Sequence, residues 1–139
     1  MASVVLDTNV LLDFFETPRP EHGTSVVLMD ALVKSGWTVA AVATSLKDVY
    51  YVVSKRLSRA HADSAVESIL ATMTILPVDF DCCVQASTST EPDFEDGIIR
   101  AAAEIAQADY LITRDTDAFV GSRVPQISPA AAITVINHG

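Results

Sequence analysis

Five aspartates stand where apolar stretches give way to polar ones. Asp7 closes the run Ser3-Val4-Val5-Leu6, and Asp48 follows Thr44 and Ser45 just after the apolar segment 37–43. Asp96 lies in the first turn of the alanine-rich stretch 93–107. Asp115 and Asp117 follow Tyr110-Leu111-Ile112-Thr113. Each acid taken singly has an ordinary reading. Asp7 and Asp115 suit helix N-caps, and Ser45-x-x-Asp48 and Asp93-x-x-Asp96 resemble capping boxes. Acids in a first turn also favour the helix dipole. Taken together they suit a metal site. Carboxylates held close raise one another's pKa unless a cation lies between them. A set of oxygen donors without His or Cys fits Mg²⁺ or Mn²⁺ rather than zinc.

For the acids to meet, the elements around them must bring them to one edge. Short, nearly all-apolar segments at 3–6, 37–43, 73–78, 109–113 and 124–127 read as buried strands. Between them lie helical stretches at 9–16, 23–35, 45–59, 62–72, 79–87 and 93–107, with a last short helix opening at Pro129. The segment 45–59 is the clearest amphipathic helix. Leu46, Val49, Tyr50, Val53 and Leu57 share one face, and Lys55, Arg56 and Arg59 gather toward its C-terminal end. Such alternation predicts an α/β fold, a three-layer α/β/α sandwich around a parallel sheet. In these sheets ligands sit outside the carboxyl ends of the strands. Asp7, Asp48, Asp115 and Asp117 belong at that edge. Asp96 joins them if its helix runs antiparallel to the strand that follows.

Composition narrows the class. The chain has 139 residues, half of them hydrophobic and only 19% charged, which is enough apolar material for the core of one domain and argues against disorder. No apolar stretch approaches the ~18 residues of a membrane helix. The N-terminus lacks the basic n-region of a signal peptide, and Asp7 and Asp13 interrupt its apolar run, so a cytoplasmic protein is expected. Cys82 and Cys83 are adjacent, without zinc-type spacing, and read as packed or idle thiols. The net charge of −9 argues against a purely electrostatic nucleic-acid binder. It does not exclude an enzyme whose acids are offset locally by a cation.

The motifs carry a family resemblance. Val4-Val5-Leu6-Asp7-Thr8-Asn9-Val10-Leu11-Leu12-Asp13 resembles the opening motif of PIN-domain ribonucleases, and Thr44-Ser45-Leu46-Lys47-Asp48-Val49-Tyr50-Tyr51 their second. Asp93-Phe94-Glu95-Asp96 resembles the third, and Asp109-Tyr110-Leu111-Ile112-Thr113-Arg114-Asp115 the fourth. The resemblance implies a five-stranded parallel sheet and a divalent-metal-dependent endonuclease acting on RNA. It also implies VapC-type toxins paired with an antitoxin protein, and homodimers. Carried over by motif, Asp7, Asp48, Asp96 and Asp115 form the catalytic and metal-binding cluster. Two departures stand out. The second acid is Asp48 where the family usually has glutamate. In the fourth motif Ala118, not an acid, precedes Phe119, which leaves open whether Asp115 or Asp117 supplies the fourth ligand.

The chemistry implied is hydrolysis of a phosphodiester, in which Mg²⁺ or Mn²⁺ lowers the pKa of a water and neutralises charge at phosphorus. Thr8, Asn9 and Thr113 lie beside the acids and are candidates for orienting them, or are ordinary turn and cap residues. Lys47 and Arg114 are candidates for RNA phosphate contact. The run Lys55, Arg56, Arg59 reads more simply as a solvated helix face. Two other enzyme classes fit less well. A haloacid-dehalogenase-type phosphatase needs a second Asp two residues after the first, where this chain has Asn9. A Rossmann nucleotide binder needs a glycine-rich turn after the first strand. A PIN-fold RNA-binding or protein-interaction module with little catalysis stays open as the alternative.

Overall fold

The computed structural model describes residues 2–115 and 117–138. Strand β1 (Ser3–Leu6) is central. Strands β2 (Thr38–Val42) and β4 (Tyr110–Ile112) flank it, and β3 (Thr74–Leu76) and β5 (Gln126–Ile127) form the edges. Every pairing is parallel, giving a five-stranded sheet of order β3-β2-β1-β4-β5. In register, Val5 stands beside Ala40 on one side and Leu111 on the other.

Seven helices cover the sheet among the described residues: α1 (Thr8–Phe15), α2 (His22–Ser35), α3 (Ala43–Arg56), α4 (Arg59–Thr72), α5 (Phe80–Ser87), α6 (Phe94–Ile105) and α7 (Pro129–His138). The two-residue period of a strand divides them into two layers. Val4, Leu6, Ala41 and Ile112 point into a core shared with α1, α2, α3, α4 and α7. Val5, Ala40, Val42 and Leu111 point the opposite way, into a core shared with α5 and α6. The division follows from topology. The chain steps outward from β1 through β2 to β3, then returns past β1 to β4. With one crossover hand, reversing direction puts the connecting helices on the other face. The expected α/β/α sandwich is the observed one.

Close packing of the second layer depends on small residues. At Gly97 of α6 an added Cβ would lie 3.0 Å from the Ala86 carbonyl of α5. Ala101, Ala102 and Ala103 bury the rest of that face. Cys82 is packed in the same core, and both cysteines are free thiols. Gly36, at φ 72°, ends α2 in the left-handed conformation that glycine adopts without penalty.

Several expected boundaries move. The strands are shorter than 37–43, 73–78 and 124–127. Pro77 follows β3 and has no amide for a ladder. Pro125 precedes β5, lending only its carbonyl to Leu111 N at 2.9 Å. Trp37 stacks on Tyr110 instead of entering β2, with ring centroids 6.1 Å apart. The helix expected over 45–59 begins at Ala43 and ends at Arg56. Asp48 therefore lies in its second turn, not its first, and Ser45-x-x-Asp48 is not a capping box. Ser58 caps α4 instead, accepting from His61 N, so Arg59 opens α4. Among the described residues no helix is long and apolar enough to cross a membrane.

Candidate metal centre

The strand order reverses between β1 and β4, and the crevice at their carboxyl ends is where such sheets bind ligands. Asp7 and Asp115 follow these two strands. Asp7 is 5% exposed and is the N-cap of α1. Its Oδ1 accepts from Thr8 N at 2.8 Å, and its Oδ2 accepts from the Thr113 hydroxyl at 2.8 Å. Thr113 Oγ1 in turn accepts from Asp115 N at 3.1 Å, so one hydroxyl ties both acids together across adjacent strands. Asp115 starts no helix. Its Oδ1 accepts from Asp117 N at 3.0 Å and Ala118 N at 3.3 Å, closing a turn. Thr8 also meets Ser45 at 2.8 Å between hydroxyls, linking the starts of α1 and α3.

Asp96 arrives from the second layer. Asp93 caps α6 by accepting from Asp96 N at 2.7 Å, which fixes the first helical turn at this edge. Burial is the largest influence on the Asp96 carboxyl, followed by the charges of Asp93, Asp7, Glu91 and Asp115. Together they push its pKa up to about 6. Asp7 is also raised, chiefly by burial, against the hydrogen bonds from Thr113 and Thr8. Asp7, Asp96 and Asp115 thus lie within one another's fields. Asp48 joins through a residue the sequence reading left unassigned. The Glu95 carboxyl shares a hydrogen bond with Asp48, and that bond, then burial and the charges of Asp48, Asp93 and Asp96, raises Glu95 to about 7. Such a bond between two carboxyls requires a shared proton.

The sequence model of the PIN domain matches residues 3–117. The chain belongs to the PIN domain family. Solved structures agree in fold. FitAcB from Neisseria gonorrhoeae is 23% identical, with a TM-score of 0.71 over 91% of this chain and 98% of that one. VapBC2 from Rickettsia felis, bound to a DNA fragment from its promoter, is 17% identical with a TM-score of 0.70 over 91% and 98%. Mycobacterium tuberculosis VapC20, a sarcin-ricin loop cleaving toxin, is 17% identical with a TM-score of 0.65 over 78% and 86%. No curated protein sequence matches the chain.

The donors in this PIN domain are all carboxylate oxygens, which fits a hard divalent ion. Among the described residues no three His, Cys, Asp or Glu side chains converge on one point. Mg²⁺ does not demand that: it keeps several waters and is usually bound through one or two carboxylates. The mutually repelling acids around buried Asp7 are the feature a cation would relieve.

The other candidates are placed as follows. Asn9 is exposed in the first turn of α1. Lys47 is exposed at the rim, its Nζ 3.7 Å from Asp48. Asp117 is exposed beyond the Asp115 turn. Arg114 points away from Asp115, its Nε donating to Asp13 at 2.6 Å. Arg59 donates to the Tyr50 hydroxyl at 3.3 Å, and Lys55 lies over the Tyr51 ring. Glu95 had a signal in its neighbours Asp93 and Asp96, with which it forms an acidic run. Ser45 had none, since its partner Thr8 is 37 residues away in sequence.

Proposed function

We propose that this PIN-domain protein is a single-domain, divalent-metal-dependent endoribonuclease and the toxin of a VapBC-type toxin–antitoxin pair. The observation that carries the reading is the Thr113 hydroxyl that ties Asp7 to the Asp115 amide at the β1/β4 crevice, supported by the charges of Asp7 and Asp115 acting on Asp96. Asp7, Asp48, Asp96 and Asp115 would hold Mg²⁺ or Mn²⁺, with Asp117 as the competing fourth ligand. When bound, the ion supplies water activation and neutralises charge at phosphorus. The chain's own groups set up the rest. Thr113 and Thr8 N hold both oxygens of Asp7 in place. Glu95 is held above the usual carboxylate range by Asp48 in the metal-free protein, and binding of the ion at Asp48 would release that proton. Lys47 lies exposed beside Asp48, where an RNA phosphate would pass, and Arg114 would share that contact only by leaving Asp13. Asn9, exposed in the first turn of α1 two residues after Asp7, is the further candidate for orienting that carboxylate.

The partners belong to the same proposal: an RNA substrate, an antitoxin chain and a second copy of the protein, all in the cytoplasm. Support comes from the structural neighbours, among them a toxin–antitoxin complex from Klebsiella pneumoniae that is 23% identical with a TM-score of 0.66. Calorimetric titration of Mn²⁺ into wild type and Asp7→Asn tests the site, and equal binding by both would remove it. Cleavage of single-stranded and structured RNA, with and without Mg²⁺ or Mn²⁺, tests the activity. Asp48 in place of the usual glutamate and Ala118 before Phe119 keep one second reading, a PIN-fold RNA-binding or protein-interaction module. That reading wins if the protein binds RNA but leaves it intact with every divalent ion.

A further inference from the structure

We infer that the ion pair Glu91–Arg100 is a positioning device for Asp115, acting across the gap between the two chain segments that carry Asp96 and Asp115. This rests on the proposed metal centre for its purpose, but not for its geometry.

The turn that carries Asp115 has an unusual anchor. Phe119 is 1% exposed in the second core, yet its φ is 64°. A bulky residue rarely adopts that conformation unless its surroundings enforce it. Two things hold it. One is the packing of the ring, and the other is Glu91 Oε1, which accepts from Phe119 N at 2.8 Å. Glu91 lies 28 residues earlier, just before α6. Its side chain is 4% exposed, and its other oxygen accepts from Arg100 Nη1 at 3.0 Å. Arg100 sits one turn after Asp96 on α6. It also donates from Nη1 to Thr90 Oγ1 at 3.0 Å and from Nη2 to Gly121 O at 2.5 Å. Phe119 and Gly121, both just after the Asp115 turn, are therefore bonded to residues on either side of Asp96: Glu91 before α6 and Arg100 within it.

A buried carboxylate with two different donors is a specific choice. Glu91 must accept at both oxygens, from a backbone amide and from a guanidinium. Glutamine cannot do so in either amide orientation, because its NH₂ would then face a donor. Packing alone needs no such charge, and burying one is costly unless it is paired. The effect reaches Asp115 indirectly. Asp115 Oδ1 is fixed by Ala118 N and Asp117 N, and Ala118 precedes the residue that Glu91 holds. Neither Glu91 nor Arg100 touches the reacting atoms, so both are positioning residues.

The test compares wild type, Glu91→Ala and Glu91→Gln by amide hydrogen exchange and by Mn²⁺ titration. The decisive amide is Ala118, which bonds to Asp115 and not to Glu91. Its exchange is expected to quicken about tenfold in Glu91→Ala, the scale of a lost buried hydrogen bond, with a smaller change in Glu91→Gln. The amides of β1 should exchange as in wild type. The dissociation constant for Mn²⁺ should rise about tenfold, as for other groups that orient ligands. Unchanged Ala118 exchange in Glu91→Ala overturns the inference, as does equal loss of protection in β1. If wild type binds no Mn²⁺ but Ala118 still loosens, the metal reading fails and the positioning role stands. If wild type binds Mn²⁺ and Glu91→Ala binds it equally well, the positioning role fails and the metal reading stands.

Discussion

Helix α1 carries buried acids of two kinds within ten residues. Asp13 and Glu16, 1% and 3% exposed, are matched by cations. Arg114 Nε lies 2.6 Å from Asp13, and Arg19 reaches both acids, at 3.3 Å and 2.6 Å. Arg56 adds a longer pair to Glu16 at 3.7 Å. Asp7, 5% exposed, receives only neutral donors, and other acids surround it. A buried carboxylate normally has a positive partner. The Asp13–Glu16 group is complete as a structural network. The Asp7 group is not, and the charge it lacks is the one a divalent cation would bring. Arg114 stands between the two. It is spent on Asp13, and its charge is the smallest of the influences acting on Asp7.

Two substitutions should pull these groups apart. Asp7→Asn is expected to cut RNA cleavage on the order of a thousandfold, since the lost metal contribution is worth several kcal/mol of barrier. The same change should leave the unfolding midpoint of the metal-free protein equal or higher. The amide still accepts from Thr8 N, and a buried, repelled charge is gone. Asp13→Ala should do the reverse. It leaves Arg114 and Arg19 without their carboxylate and is expected to lower unfolding free energy by about 3 kcal/mol in urea titration. A destabilised Asp7→Asn with intact cleavage would erase the contrast.

Metal and pH should sharpen the comparison further. At a hundred times its dissociation constant, Mn²⁺ should raise wild-type stability by about 2.7 kcal/mol, and Asp7→Asn should not respond. Without metal, the raised carboxyls set the sign of the pH dependence. Asp96 at about 6 and Glu95 at about 7 hold protons in the folded protein that the unfolded chain releases near pH 4. Their contribution to stability is therefore full below that range and is lost as pH rises through 6 and 7. Both are substantially solvent-accessible, so the loss should stay below about 1 kcal/mol. Mn²⁺ affinity should increase over the same window, because the departing protons free the ligands. Thermal melts at pH 5 and 7.5, with and without Mn²⁺, read both trends.

The parallel sheet was legible because its signal is local. Runs such as Ser3–Leu6 and Tyr110–Ile112 are apolar on both faces, and only a doubly covered sheet tolerates that. The placement of Asp7, Asp96 and Asp115 at element ends was legible for the same reason: each follows or opens a recognisable element. The start of α3 was not, because Val42 provides no side-chain cap to announce it. Nor were the partners of the acids. Thr113 with Asp7 and Arg114 with Asp13 are contacts over about a hundred residues of chain. Glu91, between Thr90 and Pro92, looks like a loop residue until Phe119 folds against it. Nothing local in the sequence records a bond whose partner is chosen by topology.

The smallest expected effect concerns the unsettled fourth acid. Asp115 is bonded through its amide to Thr113 and through Oδ1 to two amides of its own turn. It also acts on the carboxyls of both Asp7 and Asp96. Asp117 is exposed, and its carboxylate makes no hydrogen bond or ion pair among the described residues. Only its amide is used, and that survives any side-chain change. Asp117→Asn should therefore change cleavage and Mn²⁺ affinity by less than about twofold, within the range of a neutral surface substitution. Asp115→Asn should approach the loss seen for Asp7→Asn, because it removes a charge from the shared field while leaving the turn's amides an acceptor. If the two variants exchange these results, the ligand set moves outward by two residues. The ion near Asp7 would then be held from Asp117, on the far side of the turn, instead of from Asp115, which the Thr113 hydroxyl ties to Asp7.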